Sequence, residues 1–474
     1  MLYYFIFYLF LLPLEYIQEK IPKGPTGMNY QTLSLLAMLV WLLVGQRRPA
    51  ARGVEARSVG SPLSLFLVAL LAWNFFCRAM TGSSIPTLDS VLNPTSPNFG
   101  QFLQFMNGFL LFWIVVKLFH DRKRLNWLLW AIVLSAPLVF RAFRSDFHGS
   151  GGGFSNELRG RGPFVNVGSN ELAAYFLYCG LFFLVYFFQK GKRLWPRILY
   201  MIPGGLYAYG VLFSYSRGAW MSYLVGIGLI GVLRQRLILA VLIAGAVTGP
   251  MWLPQSVIDR YMMTENEEGQ LESSAESRVV FHARAIEMWR ESPVVGHGVG
   301  SFKAKYGMDT HGVYHRTLAE QGAVGFAIFM AMWGMILYMS ARLWLEGPVD
   351  SDRQYGFGLM VTTVALMIAN IFGDRFTHLP MIGQYWVLVG IGGRLYANMV
   401  GAAALDDEAG VPAPAEHEAA GRPEIEMNIV QPPAPPVPRQ PIEPAPAAPS
   451  QETEMQIVSA SSTELNIVSR TGRK

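Results

Sequence analysis

The chain has 474 residues, of which 52% are hydrophobic and only 15% charged, whereas an ordinary soluble domain carries about 25% charged residues. So little charge cannot cover the two or more soluble bodies that the length alone suggests. The net charge of +5 hides an asymmetry: residues 401–474 hold 11 acidic and 5 basic side chains, leaving 22 acidic and 33 basic in residues 1–400.

The basic residues of that body stand between apolar runs, so they read as topology signals, and no nucleic-acid partner is expected. Two cysteines, Cys77 and Cys179, both lie within apolar runs. They exclude a disulfide scaffold and a cysteine-ligated zinc site.

Crossing a bilayer core of roughly 30 Å takes about 20 mostly apolar residues, and about twelve such runs follow one another. They are 1–17, 28–45, 62–81, 99–119, 124–140, 171–189, 196–214, 218–233, 236–253, 322–343, 355–373 and 381–399. The first run has no basic flank and no small-residue cleavage site, so it reads as a retained helix. The expected fold is an all-α integral membrane protein. About twelve transmembrane helices, a long outer-face loop carrying short helices, and a disordered C-terminal tail make it up.

Orientation follows from the short loops. Arg47, Arg48, Arg52 and Arg57 follow the second run, and Arg122, Lys123 and Arg124 follow the fourth. Lys190, Lys192, Arg193 and Arg197 follow the sixth, Arg234 and Arg236 the eighth, and Arg342 and Arg353 flank the loop after the tenth. One parity collects the positive charge, which puts those loops and both termini in the cytoplasm. The other face keeps the loops 18–27, 82–98, 141–170, the turn near 215–217, the long loop 254–321, and 374–380. These carry Arg141, Arg144, Arg159, Arg161, Arg217, Arg260, Arg278, Arg284, Arg290 and Arg375, against the positive-inside rule. Arginines beside glycine-rich backbone point to an anionic ligand, because the planar guanidinium suits phosphate.

In chain order, the first outer-face motif is Gly149–Gly153 followed by Arg159-Gly160-Arg161 and the stretch to Glu171. Backbone amides in such a loop can cradle phosphate, although a flexible connector explains the glycines equally well. Asn170 ahead of an apolar run is a helix N-cap signal. Next comes Ser216-Arg217-Gly218 at the outer end of a helical hairpin. An arginine at a membrane-embedded turn marks a functional site unless it snorkels to the interface.

Within the long loop, Ser273 and Glu276 have the spacing of a capping box. Arg278, His282, Ala285 and Trp289 then share one helix face, with Val279, Ala283 and Ile286 as a neighbouring apolar stripe. The segment reads as an amphipathic helix on the outer membrane surface.

Gly296-His297-Gly298-Val299-Gly300, His311 to Arg316, and Glu320-Gln321-Gly322 complete the loop. His311 and His315 have the spacing of two metal ligands on a helix, but Gly312 between them is a poor helix residue and no metal is expected. A neutral imidazole beside a diphosphate suits general-base work. His282 and His297 are expected to matter much less.

The tail holds twelve of the 29 prolines between residues 401 and 451. Such a segment cannot bury enough apolar surface to fold. A short pattern recurs in it as Glu426–Val430, Glu454–Val458 and Glu464–Val468. It is either a repeated peptide docking on a cytoplasmic partner by strand addition, or a duplication without function.

Taken together these motifs resemble the bacterial O-antigen ligase / O-antigen polymerase superfamily of polytopic lipid-carrier glycosyltransferases. The resemblance rests on Ser216-Arg217-Gly218 opening a helix, Arg278 before Pro293, and the Gly296-x-Gly298-x-Gly300 run. It continues with His311, Tyr314 and Glu320-x-Gly322, and extends to the stretch from Arg161 to Asn170. The family's usual His-Asn pair is His311-Gly312 here, and its apolar residue four positions on is His315. Pro is also missing from the usual Asn-Pro-Asn at 166–170.

The resemblance implies an inverting, metal-independent glycosyltransferase without a cofactor. It would move a glycan from an undecaprenyl-diphosphate-linked donor to a hydroxyl on a glycan or glycolipid acceptor, such as lipid A-core or a growing polysaccharide. The site would face the periplasm or exterior of the cytoplasmic (inner) membrane, among membrane lipids. Arg217 and Arg278 would grip the diphosphate and His311 would take the acceptor proton. Arg159, Arg161, Asn170, Tyr314 and His315 are the substrate-binding candidates. Residues 1–400 would form the membrane glycosyltransferase domain, with the catalytic loop at about 254–321, and 401–474 the cytoplasmic tail. The alternative is a polytopic transporter or lipid-linked glycan flippase, against which stands the lack of self-similar halves.

Overall fold

Apolar runs punctuated by charged or glycine-rich breaks dictate helices, and the computed structural model is helical, with no strand among its described residues. Those residues are 1–21, 30–45, 62–80, 97–149, 162–165, 167–188, 194–263, 273–376 and 378–408. Arg159, Arg161, most of the glycine loop and the tail repeats lie outside them. The chain divides into two units, Met1–Ala413 and Pro414–Lys474, and the second is wholly outside the described residues.

In chain order the helices are α1 (Leu2–Leu11), α2 (Glu15–Gln18), α3 (Tyr30–Gly45), α4 (Leu63–Met80) and α5 (Pro97–Leu118). Then come α6 (Arg122–Gly149), α7 (Ser169–Phe187), α8 (Leu194–Phe213), α9 (Arg217–Leu233) and α10 (Arg236–Trp252). The long loop carries α11 (Gln255–Met262), α12 (Ser273–Glu291) and α13 (Ser301–Tyr306), and the chain continues through α14 (Val313–Glu346), α15 (Asp350–Ala369) and α16 (Leu379–Glu408). Each apolar run thus falls on a helix. By length and composition α6, α7 and α14 are long and apolar enough to cross a membrane.

Some boundaries differ from the sequence reading. Helix α6 runs on past residue 140 through Arg141 and Arg144, because Phe143 and Phe147 continue its buried stripe. Helix α14 begins at Val313 and is broken at Gly322, where φ is 65° and ψ is −171°.

The centre of the molecule is α7, whose side chains from Leu172 to Phe183 are almost all buried. A buried amide joins it to its neighbours: Tyr175 donates to Gln384 Oε1 at 2.9 Å, and Gln384 Nε2 donates to Ser135 Oγ at 3.2 Å and to the Leu9 carbonyl at 3.3 Å. One side chain on α16 therefore ties α1, α6 and α7, and its polar atoms are bonded as burial demands.

Contacts sort the helix ends into two sets. At one end Arg122 pairs with Asp352, Arg197 donates to the Phe187 carbonyl, and Asn398 donates to the His120 carbonyl. Among the described basic loop residues, Arg122 and Arg197 stand at this end. At the other, Glu15 accepts from the Val165 amide and pairs with His378, and Tyr215 meets Ser256. Arg217, Arg260 and Arg375, three of the arginines that break the positive-inside rule, stand there.

Candidate active site

The Ser216-Arg217-Gly218 motif forms a tight reversal between α8 and α9. Tyr215 has a left-handed backbone, with φ at 54°, a conformation that costs a non-glycine residue about 1–3 kcal/mol and persists only where its surroundings enforce it. Here its ring is buried beside Phe147 and Phe213, its hydroxyl bonds Ser256 Oγ at 3.0 Å, and its carbonyl accepts from Arg260 at 3.3 Å. Helix α11 thus closes over the turn, and Arg217 donates to the Met263 carbonyl at 3.0 Å. A Cβ added at Gly218 would press on the Phe372 ring at 3.0 Å, so the turn seats against the loop that follows α15.

Helix α12 is amphipathic as expected, but its buried stripe is different. Phe281, Ala285 and Met288 pack on Phe302 and Ala319, whereas Val279 is 59% exposed. The helix docks on protein through the former three, because Phe281 and Met288 offer more apolar surface than Val279 and Ala283.

The glycine run that follows is a structural clasp. The Gly298 amide donates to the Glu320 carbonyl at 2.8 Å and the His297 amide to the Ala319 carbonyl at 3.2 Å. From the other side, the Ala323 amide donates to the Pro293 carbonyl at 2.8 Å. These bonds use backbone groups that the break at Gly322 frees from α14. Glu320, fully buried, accepts from the Phe302 amide at 3.3 Å. Trp73 on α4 donates to the Gln321 carbonyl at 2.9 Å. His297 is held by the Met288 carbonyl at 2.7 Å.

His311 follows the clasp. It is the other non-glycine residue with a left-handed backbone among the described residues, at φ 55°. Thr310 Oγ1 donates to the Gly312 carbonyl at 2.9 Å, and the Val313 amide donates to the Asn370 carbonyl at 3.2 Å. The His311 ring lies 6.0 Å from that of Phe281. His315, one turn along α14, stacks on His282 with centroids 3.9 Å apart and planes 10° apart. No cluster of three potential metal ligands occurs among the described residues.

Burial and then Arg278 push the His311 imidazole below its usual range, with Arg375 adding to this and Asp309 and Glu171 opposing it. His282 is pushed down to about 4, by burial first, then by His315 and Arg278. His282 and His311 are therefore mainly neutral around pH 7, and a neutral imidazole can accept a proton.

The loop after α15 brings in ion pairs that the sequence reading did not foresee. Asp374 pairs with the buried Arg316, and Arg375 pairs with Glu171 in the first turn of α7. The Arg375 amide donates to Asn370 Oδ1 at 3.0 Å. Glu171 also accepts from the Gly168 amide at 3.0 Å. This corrects the N-cap reading of Asn170: Gly168 is the cap, and Asn170 is the second residue of the helix. Tyr314 donates its hydroxyl to the Met367 carbonyl at 2.8 Å, which anchors α14 to α15.

The structure thus brings Arg278, His311 and His315 together with His282 and Arg375. Arg217 joins them through Gly218 and Phe372, on the same loop whose Ile371 carbonyl faces Gly312. A neutral base between guanidinium groups is suited to a reaction in which an anionic group leaves and a hydroxyl loses its proton.

No curated protein matches the chain at a significant level. Residues 202–330, which include Arg217, Arg278 and His311, match the family model described as O-antigen ligase. The chain thus contains a region similar to the O-antigen ligase family, and this likeness supports a glycan-transfer role in O-antigen or lipopolysaccharide assembly at a membrane.

Proposed function

We propose that this protein transfers a glycan from an undecaprenyl-diphosphate carrier to an acceptor hydroxyl, on lipid A-core or on a growing polysaccharide. The reaction takes place on the outer face of the bacterial cytoplasmic membrane. The observation that carries the reading is His311: a left-handed turn holds a half-buried imidazole that burial, and then Arg278, bias toward its neutral form.

His311 takes the proton of the acceptor hydroxyl as its oxygen bonds to the anomeric carbon. The bond from that carbon to the diphosphate oxygen breaks, with inversion, and the electron pair leaves on the diphosphate. Arg217 and Arg278 hold that developing charge, which such donors do best where water is excluded. Arg159, Arg161, Asn170 and Tyr314 bind donor and acceptor. No metal takes part.

Twelve membrane crossings with both termini in the cytoplasm complete the proposal. It is supported by the separation of basic helix ends from the end that carries Arg217 and His311. The tail repeats serve a cytoplasmic partner rather than the chemistry.

The test is purified protein given a glycan on undecaprenyl diphosphate and an acceptor. Release of undecaprenyl diphosphate, unchanged by EDTA, is expected; a transporter or flippase would release none. A reporter fused after Lys474 and a tag near Gly269 should lie on opposite sides of the membrane, and finding both on one side would refute the topology.

A further inference from the structure

Gly312 carries the argument. A Cβ built on it would stand 2.9 Å from His282 Nε2, 3.1 Å from His315 Nδ1 and 3.1 Å from the Ile371 carbonyl. The space beside the backbone of His311 is thus filled by two imidazoles that arrive from different helices. They stack face to face at 3.9 Å. His282 also meets the His311 backbone. One residue away, His311 keeps a left-handed conformation that a histidine leaves unless its neighbours prevent it.

We propose that His282 and His315 are positioning residues: as a stacked pair they brace the His311–Gly312 turn and so aim the His311 imidazole. This rests on His311 being the proton acceptor of the proposed transfer. Among the described residues, charged and titratable groups face the pair from several elements. Arg278 stands one turn before His282 on α12, His311 sits beside it, and His311 in turn faces Asp309, Glu171 and Arg375. A second positive charge inside this cluster would be repelled by Arg278 and, after proton transfer, by His311. Neutral rings avoid both repulsions. Stacking is served by shape, so an aromatic ring without ionisable nitrogens should do the same work.

The experiment uses the full-length purified enzyme and the transfer assay above, with thermal stability measured alongside. His282→Ala and His315→Ala should each lower kcat about 100-fold, as expected for a misplaced catalytic group, with KM for the lipid-linked donor little changed. His315→Phe and His282→Phe should recover most of the lost kcat and keep the acid limb of the pH profile where the wild type has it. Gly312→Ala should behave like the alanine variants. His311→Ala is the control for the underlying reading: if it transfers glycan normally, that reading fails whatever the pair does. If His311→Ala is inactive while His282→Ala and His315→Ala match the wild type, positioning is overturned. It is equally overturned if the phenylalanine variants stay as impaired as the alanine variants while remaining folded, because the ring nitrogens would then be needed for themselves.

Discussion

Gly298 donates its backbone amide to the carbonyl of Glu320 at 2.8 Å, and through that bond the long loop is fastened to the start of α14. The fastening depends on a helix that stops bonding to itself for one turn. Gly322 provides the break, with φ at 65°, and Gly296 approaches it with φ at 76°. At either position an added Cβ would run into main-chain atoms of the opposite strand of the clasp.

Gly322→Ala therefore combines a left-handed alanine with a backbone clash that no side-chain rotation relieves. The strain alone is about 1–3 kcal/mol. The expected outcome is a lower Tm in detergent together with lost transfer, and Gly296→Ala should do the same. Gly334→Ala, on the same helix with open space at its Cβ, should leave Tm unchanged.

Arg316 and Asp374 form an ion pair with only 7% and 9% of their side chains exposed. Removing one member strands a charge away from water, which typically costs about 3–5 kcal/mol. Arg316→Met should therefore destabilise strongly, and Arg316→Met with Asp374→Leu should recover much of the loss. Thermal unfolding of the single and double variants measures the coupling directly. Strict additivity would show that the pair does not act as one unit.

How much of this was legible in the sequence depends on the distance over which each signal acts. The helices were legible, because a run of apolar residues acts locally. Arg217 and His311 stand out in the sequence as polar groups in apolar or glycine-rich settings, and the structure puts Arg278 beside His311. The Arg375–Glu171 and Arg316–Asp374 pairs were not legible, since each joins elements separated by whole helices and neither member advertises its partner. The Gly-x-Gly-x-Gly run was visible as a motif, but its role was not, because main-chain bonds to Ala319 and Glu320 leave no side-chain pattern. Helix α12 was read with the wrong buried stripe because Val279 and Phe281 are both apolar, and only packing against Phe302 decides between them.

Arg217 should be sensitive to shape as well as charge. Lysine keeps the charge but lacks the planar fork that matches phosphate oxygens. Arg217→Ala should lower kcat by roughly 100- to 1000-fold, the usual effect of removing one donor to a developing anion. Arg217→Lys should remain impaired. Measuring both at matched stability separates the two contributions, and full activity of the lysine variant would refute bidentate recognition.

The pH dependence has a definite sign. A general base works only when unprotonated, so the rate falls as the pH drops through its pKa. Burial and Arg278 push the His311 pKa down, so the acid limb of kcat should lie below about pH 6.5, the ordinary imidazole value. Arg278→Met removes a positive neighbour, which lets His311 hold its proton more easily. Its acid limb should move to higher pH, beyond any loss of rate at the plateau. A limb that stays in place would mean that Arg278 does not act on the base.

The most direct test of the central claim is the release of undecaprenyl diphosphate from a glycan-loaded donor by purified wild-type and His311→Ala protein, at matched expression and Tm. The account predicts acceptor-dependent release by the wild type and a loss of about 100- to 10,000-fold in the variant, the range of general-base contributions. Release by His311→Ala at the wild-type rate, or no release by well-folded wild-type protein, would contradict it.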